Sequence, residues 1–512
     1  MSTGSRARWV ALAVVCAGSL MNVLDTTIVG VALPAIRQDL GFTQNSLAWV
    51  VNAYMLTYGG FLLLGGRLGD LFGRRRLFAA GISVFTLSSL ACGLASGQGF
   101  LLAARAVQGF SGAVASAVAL SLVVSLFPEP AERAKAMGVF GFVASGGGSI
   151  GVLMGGVLTS LLSWHWIFLV NVPIGAAVCL ASLRVLPAGP AGQHRGRLDI
   201  RGAVLVTASV MLAVYAIVGV NQAGWLSART AGMLAAAAVL LAAFVAAEAK
   251  AASPLVPLRL FRLRNLSSAS VIGVLWAAAM FAYFFLTALY LQLVLHYSPL
   301  QTGLAFLPSN LIMGALSLGI SARLVTRFGT RRPLGAGLVL AAGGLLLLAH
   351  APAGGHFLTD VLPGTVLLGL GAGTALNPVL IAAMGDVRQE ESGLASGMVN
   401  TSFMLGGALG LAVLASLATA RTHSLLATGH GALAALTGGY HAAFVAGAVS
   451  AALAALLAAC WLHPVTSQPA DPDTGGKTLR ERSSTRRSSV AKTLASVSSR
   501  DSDPTTAYEE SL

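Results

Sequence analysis

Between residues 9 and 462 the sequence alternates long apolar runs with short polar connectors. Each run is roughly 20 residues, enough for a helix to cross about 30 Å of hydrocarbon. The runs fall at 9–33, 47–66, 77–97, 100–126, 135–162, 165–186, 202–222, 230–248, 269–294, 301–325, 334–350, 359–383, 393–418 and 441–462. They predict an all-α membrane protein with 14 transmembrane helices. The number is even, so both termini are expected on one side. Residues 463–512 are rich in Ser, Thr, Arg, Asp and Pro and carry no apolar period, which predicts a disordered tail.

Composition agrees with the pattern. The chain is 56% hydrophobic and 10% charged, with a mean hydropathy of +0.79, whereas soluble domains carry about a quarter charged residues. Arg6 and Arg8 precede a first span too long for a signal-peptide core, so no cleavable leader is expected. A pI of 10.4 invites a nucleic-acid reading, but basic residues gather in the cytoplasmic loops of any membrane protein. Cys16, Cys92, Cys179 and Cys460 all fall in predicted spans, which indicates neither a disulfide framework nor a zinc site. His423, His430 and His441 lie in or beside one predicted outer loop, where ordinary loop histidines are the simpler reading. With no GxxxxGK[ST] loop, ATP-driven chemistry is unsupported.

The charges orient the spans. One face receives almost every Lys and Arg outside the membrane, while the other receives only Arg37, Arg229 and Arg421. Such asymmetry places both termini in the cytoplasm of a multi-pass plasma-membrane protein. An internal repeat supports the count. Arg67-Leu68, Phe72-Gly73 and Arg75-Arg76 recur as Arg323-Leu324, Phe328-Gly329 and Arg331-Arg332, displaced by 256. Two six-helix halves, 9–186 and 269–462, account for the repeat, with an inserted helix pair in 187–268, a cytoplasmic N-terminus at 1–8 and the tail at 463–512.

Asp25 is the one acid well inside a span, and Arg105 the one strong base. An ionisable group in hydrocarbon costs about 3 kcal/mol or more, so both are functional candidates. Low dielectric makes a carboxylate's charge costly, which suits a group that carries a proton. The repeat sets Asp25 opposite Ala282, outside the symmetric scaffold. Arg105 stands near the outer end of its span, where an arginine can also snorkel to the interface.

Four motifs carry a resemblance. Gly66, Gly69, Asp70, Gly73, Arg74, Arg75 and Arg76, in the loop after span two, closely resemble the gating loop of the major facilitator superfamily. Leu24-Asp25-Thr26-Thr27-Ile28-Val29-Gly30 resembles the span-one motif of its fourteen-helix drug:proton antiporter branch, which usually has Asn at the position of Gly30. Arg105-Ala106-Val107-Gln108-Gly109 is similar to the family's RxxQG motif. Gly147, Gly151, Gly155 and Gly156 resemble the antiporter glycine motif, with Val152 where proline is expected; tight helix packing also explains such a face. Trp164-His165-Trp166-Ile167-Phe168 and Asn171-Val172-Pro173-Ile174-Gly175 match the fourteen-helix branch.

The resemblance implies a monomeric exporter of a lipophilic small molecule, driven by protons with no cofactor, in which Asp25 couples the proton and Arg105 assists. Asn52, Tyr54, Gln108, Phe281, Tyr283, Phe284, Phe285, Tyr290, Asn310 and Asn377 are candidates for the substrate cavity. With one acid in it, that cavity is expected to accept a neutral compound or a monovalent cation. A proton symporter importing a nutrient shares the fold and the carboxyl. A membrane-embedded enzyme would need paired catalytic groups at one depth, and no second intramembrane acid or HExxH motif is seen; a sensor is a further alternative.

Overall fold

The computed structural model describes residues 5–462 apart from 128, 188–199, 225–226, 252–253, 255–256 and 388–391. The predicted tail and most of the loop after span six therefore lie outside the described residues. The helices are α1 (Ser5–Leu40), α2 (Gln44–Phe72), α3 (Arg74–Gly93), α4 (Gln98–Leu126) and α5 (Pro130–Leu161). Then come α6 (Trp166–Leu169) with α7 (Asn171–Val185), and the pair α8 (Ile200–Ala223) and α9 (Ala228–Lys250). The remainder are α10 (Arg264–Leu293), α11 (Pro299–Ala315), α12 (Ser321–Phe328), α13 (Arg331–Leu348), α14 (Leu362–Met384), α15 (Ser392–Ala427) and α16 (Ala432–Trp461). A π-helical turn, Leu316–Ile320, joins α11 to α12, and another, Phe357–Val361, leads into α14.

Among the described residues, 12 helical segments are long and apolar enough to cross a membrane. Outside that set are α5, whose apolar part is Ile150–Leu161, and the α11–α12 run broken by its π turn. Several helices outrun their apolar windows. α1 continues through Pro34 to Leu40, and α15 runs past Arg421 to Ala427. With α16 beginning at Ala432, the predicted outer loop shrinks to 428–431 and His441 becomes helical. Hydropathy marks where polar residues begin, but backbone hydrogen bonding carries a helix beyond the hydrocarbon.

The sequence repeat is also a repeat of backbone devices. Gly73 (φ 88°) and Gly329 (φ 73°) both take the left-handed region that glycine enters without penalty. Each donates its N–H back into the preceding helix, to Gly69 O at 3.1 Å and Val325 O at 2.8 Å. The helices entering these turns begin alike. Thr43 and Ser46 form a capping box at α2, and Ser298 and Gln301 form one at α11.

Helices α1–α7 pack among themselves, as do α10–α16, and the two bundles meet along α1–α10, α5–α11 and α2–α15. α8 rests on both bundles. A Cβ on Gly60 of α2 would collide with Thr207 of α8, and Ser416 Oγ of α15 donates to Ile217 O at 3.1 Å. α5 packs against α11, closely so around Gly156 and Gly303. Leu300 N donates to Ser160 Oγ at 3.0 Å, and a Cβ on Gly156 would lie 2.7 Å from Pro299 O. No described atom lies within 4 Å of a Cβ built on Gly138 or Gly141 of α5, or on Gly314 of α11. Gln292 Nε2 of α10 donates to Val31 O of α1 at 2.8 Å, joining the bundles a second time.

Candidate functional site

The carboxyl of Asp25 is fully buried inside the first bundle, where side chains of α4 and α7 converge on it. Arg105 of α4 meets Oδ2 at 2.5 Å, and Gln108, one turn further along α4, donates Nε2 to Oδ1 at 2.7 Å. Asn171, at the start of α7, donates to Oδ1 at 3.4 Å. The i, i+3 spacing of Arg105 and Gln108 puts both on one helix face. Gln108 is the hub of the cluster. Its Oε1 accepts from Arg105 at 2.8 Å and from Cys92 Sγ at 3.6 Å, while its Nε2 also reaches Ser89 Oγ of α3 at 2.7 Å.

The guanidinium is held as fully as the carboxylate. Arg105 Nε donates to Val50 O at 3.0 Å, and its carbon lies 4.5 Å from the Tyr54 ring and 5.6 Å from that of Phe168. A charge pair out of water is tolerable only when its remaining donors and acceptors are satisfied, and here packed rings supply cation–π contacts as well. Arg105 is 1% exposed, so it does not snorkel. Phe168 and Asn171 come from the two motifs around span six, whose work is to wall in the ion pair.

A second site lies between the bundles. A cavity of about 360 Å³ is lined by α1, α2, α5, α10, α11, α14 and α15. Its α1 face includes Val23, Thr26, Thr27 and Gly30, at the i, i+3, i+4, i+7 spacing of one helical stripe, with Val31 and Leu33 beside them. Phe281, Phe284, Phe285, Phe306 and Phe403 supply aromatic surface, and Asn310, Asn400 and Ser317 supply polar groups. None of the described lining residues is charged. This corrects the expectation of one acid in the cavity, because Asp25 points off the opposite side of α1 into the first bundle.

The proposed cavity residues therefore part company. Phe281, Phe284, Phe285 and Asn310 line it. Gln108 and Tyr54 belong to the ion pair instead. Asn52 is fully buried on α2 and is not among the residues lining this cavity. Tyr290 donates its hydroxyl to Pro352 O at 2.7 Å, Asn377 donates to Ser317 O at 2.9 Å, and Tyr283 donates to Ser309 Oγ at 3.4 Å. All three tie helices or turns together. Sequence reasoning missed Trp276, Phe306, Phe403 and Asn400; the pair Asn400 and Phe403, one turn apart on α15, was the available signal.

The gating turn is nearly all helix, with Gly73 alone separating α2 from α3. Arg74 donates to Ser121 O of α4 at 3.3 Å, Arg75 donates to Leu183 O of α7, and Arg76 is exposed. The side chains of Arg67 and Asp70 lie outside the described residues. A Cβ on Gly69 would meet Val118 at 2.9 Å, whereas Gly66 has open space. The α5 glycines serve close packing. A Cβ on Gly147 would lie 2.9 Å from Leu20, one on Gly151 would strike Thr27, and one on Gly155 would lie 2.6 Å from Ile28 O, all on α1. Gly156 faces α11 instead.

A ligand-sized chamber between two bundles built on the same turns and caps is the working part of a membrane carrier, not of an enzyme. The chain belongs to the Major Facilitator Superfamily, whose family model matches residues 15–411. It is 39% identical over 432 residues to a puromycin resistance protein of Streptomyces alboniger, covering 84% of this chain and 85% of that one. A cephamycin export protein of Amycolatopsis lactamdurans is 40% identical over 407 residues, 79% of this chain and 84% of that one. A lincomycin resistance protein of Streptomyces lincolnensis is 39% identical over 418 residues, 81% and 85% of the two chains. In fold, the chain matches a bacterial homologue of the human lysosomal transporter Spinster in an inward-facing, unoccupied conformation. The TM-score is 0.64 at 17% identity, over 89% of this chain and 97% of that one.

Proposed function

We propose that this protein exports a lipophilic, antibiotic-like compound across the plasma membrane in exchange for protons, with Asp25 as the proton carrier. The observation that carries the reading is the buried Asp25–Arg105 pair on a helix whose other face lines an uncharged, aromatic chamber. The names of the relatives, a cephamycin exporter and resistance proteins for puromycin and lincomycin, support the outward direction. Close packing of α5 on α11 around Gly156, with open space beside Gly138 and Gly141 nearer the Gly73 turn, supports a carrier open to the cytoplasm. Fourteen spans, two rocking six-helix halves and a monomeric state complete the reading.

In the cycle, deprotonated Asp25 holds Arg105 and the chamber takes up substrate from the inner side. Protonation from outside weakens the pair, frees α1 to shift against α4 and α5, and favours release outward. Coupling is then a difference in stability between two packings of one helix, which both ligands bias. Each proton entering down 100 mV supplies about 2.3 kcal/mol. The test is Asp25→Asn in everted vesicles. Substrate accumulation on energisation, and collapse of the proton gradient on adding substrate, should both disappear while membrane expression persists; Asp25→Glu should retain part. Wild-type accumulation by the Asn variant at several pH values, or gradient-driven uptake by intact cells, refutes the reading.

A further inference from the structure

Three hydrogen-bond donors lining the central chamber have no partner among the described residues. They are the indole Nε1 of Trp276 on α10, the amide Nδ2 of Asn310 on α11 and the hydroxyl of Ser317 in the π turn that follows. Trp276 is 2% exposed and Asn310 3% exposed. Both line the chamber, and both also line a narrow recess of about 10 Å³ between α10, α11 and α14, room for one oxygen-sized group. Ser317 lies outside that recess, and Tyr283 within it gives its hydroxyl to Ser309, which leaves Trp276 and Asn310 as the recess donors to be matched. A buried donor without an acceptor is costly, and Phe or Leu would fill the same space without that cost.

We propose that Trp276 and Asn310 orient the substrate by donating to a carbonyl or ether oxygen of an uncharged aromatic compound. The inference rests on the export reading but deepens it. The oxygen enters the recess while rings pack against Phe284 and Phe306, and the absence of any described charged lining residue withholds a partner from a cation. Specificity then comes from the donors, because a site built to hydrogen-bond rejects a ligand that lacks the matching group far more strongly than an apolar pocket rejects a change of shape.

The test uses the full chain in nanodiscs without a proton gradient, with fluorenone, fluorene and 9-aminofluorene as probes of one shape. Fluorenone should bind at least about tenfold more tightly than fluorene, and 9-aminofluorene, an ammonium, should bind no better than fluorene. Asn310→Leu and Trp276→Phe should each erase most of the ketone preference while eluting as monodisperse protein. Should the Leu variant not fold, Asn310→Asp keeps the size, replaces the donor with an acceptor, and should turn the preference toward 9-aminofluorene. Equal binding of ketone and hydrocarbon, no binding of the ketone, or a preference unchanged in the variants overturns the proposal. Because no gradient is present, these outcomes are separate from those of Asp25→Asn, which should keep the ketone preference even as transport is lost.

Discussion

Asp25 and Thr26 are consecutive on α1 yet face different compartments. The Asp25 carboxyl meets Arg105 at 2.5 Å in the fully buried first bundle, while Thr26 lines the chamber between the bundles. One helix thus carries the buried ion pair on one side and the chamber lining on the other. Under the proposed exchange, proton and substrate would not compete for a shared carboxylate. They would communicate by how α1 sits between α4 and the glycine face of α5.

The first prediction concerns the pair as a unit. Arg105→Ala leaves the Asp25 carboxylate buried without its counter-charge and removes the cation beneath Tyr54 and Phe168. Breaking such a pair from one side costs about 3–5 kcal/mol. The variant should express poorly and melt well below wild type, and adding Asp25→Asn should restore much of the stability but none of the transport. Melting curves of the four proteins in a double-mutant cycle measure the coupling. A double variant no more stable than Arg105→Ala would contradict it.

The second prediction uses the break in α1. Pro34 lies inside the helix and has no N–H to give Gly30 O, and Gly30 borders the chamber. An interior proline costs a helix about 3 kcal/mol relative to alanine. Pro34→Ala should therefore raise or preserve thermal stability while lowering turnover several-fold, because a stiffer α1 exchanges packings more slowly. Turnover equal to wild type in reconstituted vesicles would remove α1 flexing from the mechanism.

Which of these relations could be seen in the sequence follows from the physics of each residue. Asp25 and Arg105 stood out because hydrocarbon makes ionised side chains rare, and the repeat was visible because Gly73 and Gly329 perform the same left-handed turn. Gln108 was assigned to the chamber instead of to Asp25, because spacing gives a residue's helix face but not the helix that opposes it. Trp276 carries no sequence signal of its own, because tryptophan in a span is ordinarily an interfacial anchor. The seat of α8 across both bundles depends on Thr207 filling the notch at Gly60, a contact between segments that no periodicity encodes.

The third prediction fixes topology. Reporters fused after Arg76, Arg201 and Arg332 should report the cytoplasm. The turn between α15 and α16 is confined to 428–431, so a fusion there, rather than anywhere between 421 and 438, should report the exterior. A cytoplasmic signal from the 428–431 fusion breaks the fourteen-span arrangement.

The fourth prediction separates the two stretches of α5. A Cβ on Gly151 would collide with Thr27 Oγ1 and lie 3.1 Å from Leu24 O, and the Leu24 backbone cannot retreat without shifting its neighbour Asp25 against Arg105. Overpacking of this kind costs about 1–3 kcal/mol. Gly151→Val should therefore lower the melting temperature and uncouple transport, seen as proton leak without substrate. Gly141→Val, where no described atom lies within 4 Å of the new Cβ, should stay within about 0.5 kcal/mol of wild type. Val152→Pro, which restores the proline of the antiporter motif, probes the same contact from the chamber side. It removes the helical hydrogen bond to Gly148 O, beside Thr27, and should change rate or leak. If Gly151→Val and Gly141→Val behave alike in both melting and proton flux, the close approach of α5 to α1 has no part in coupling.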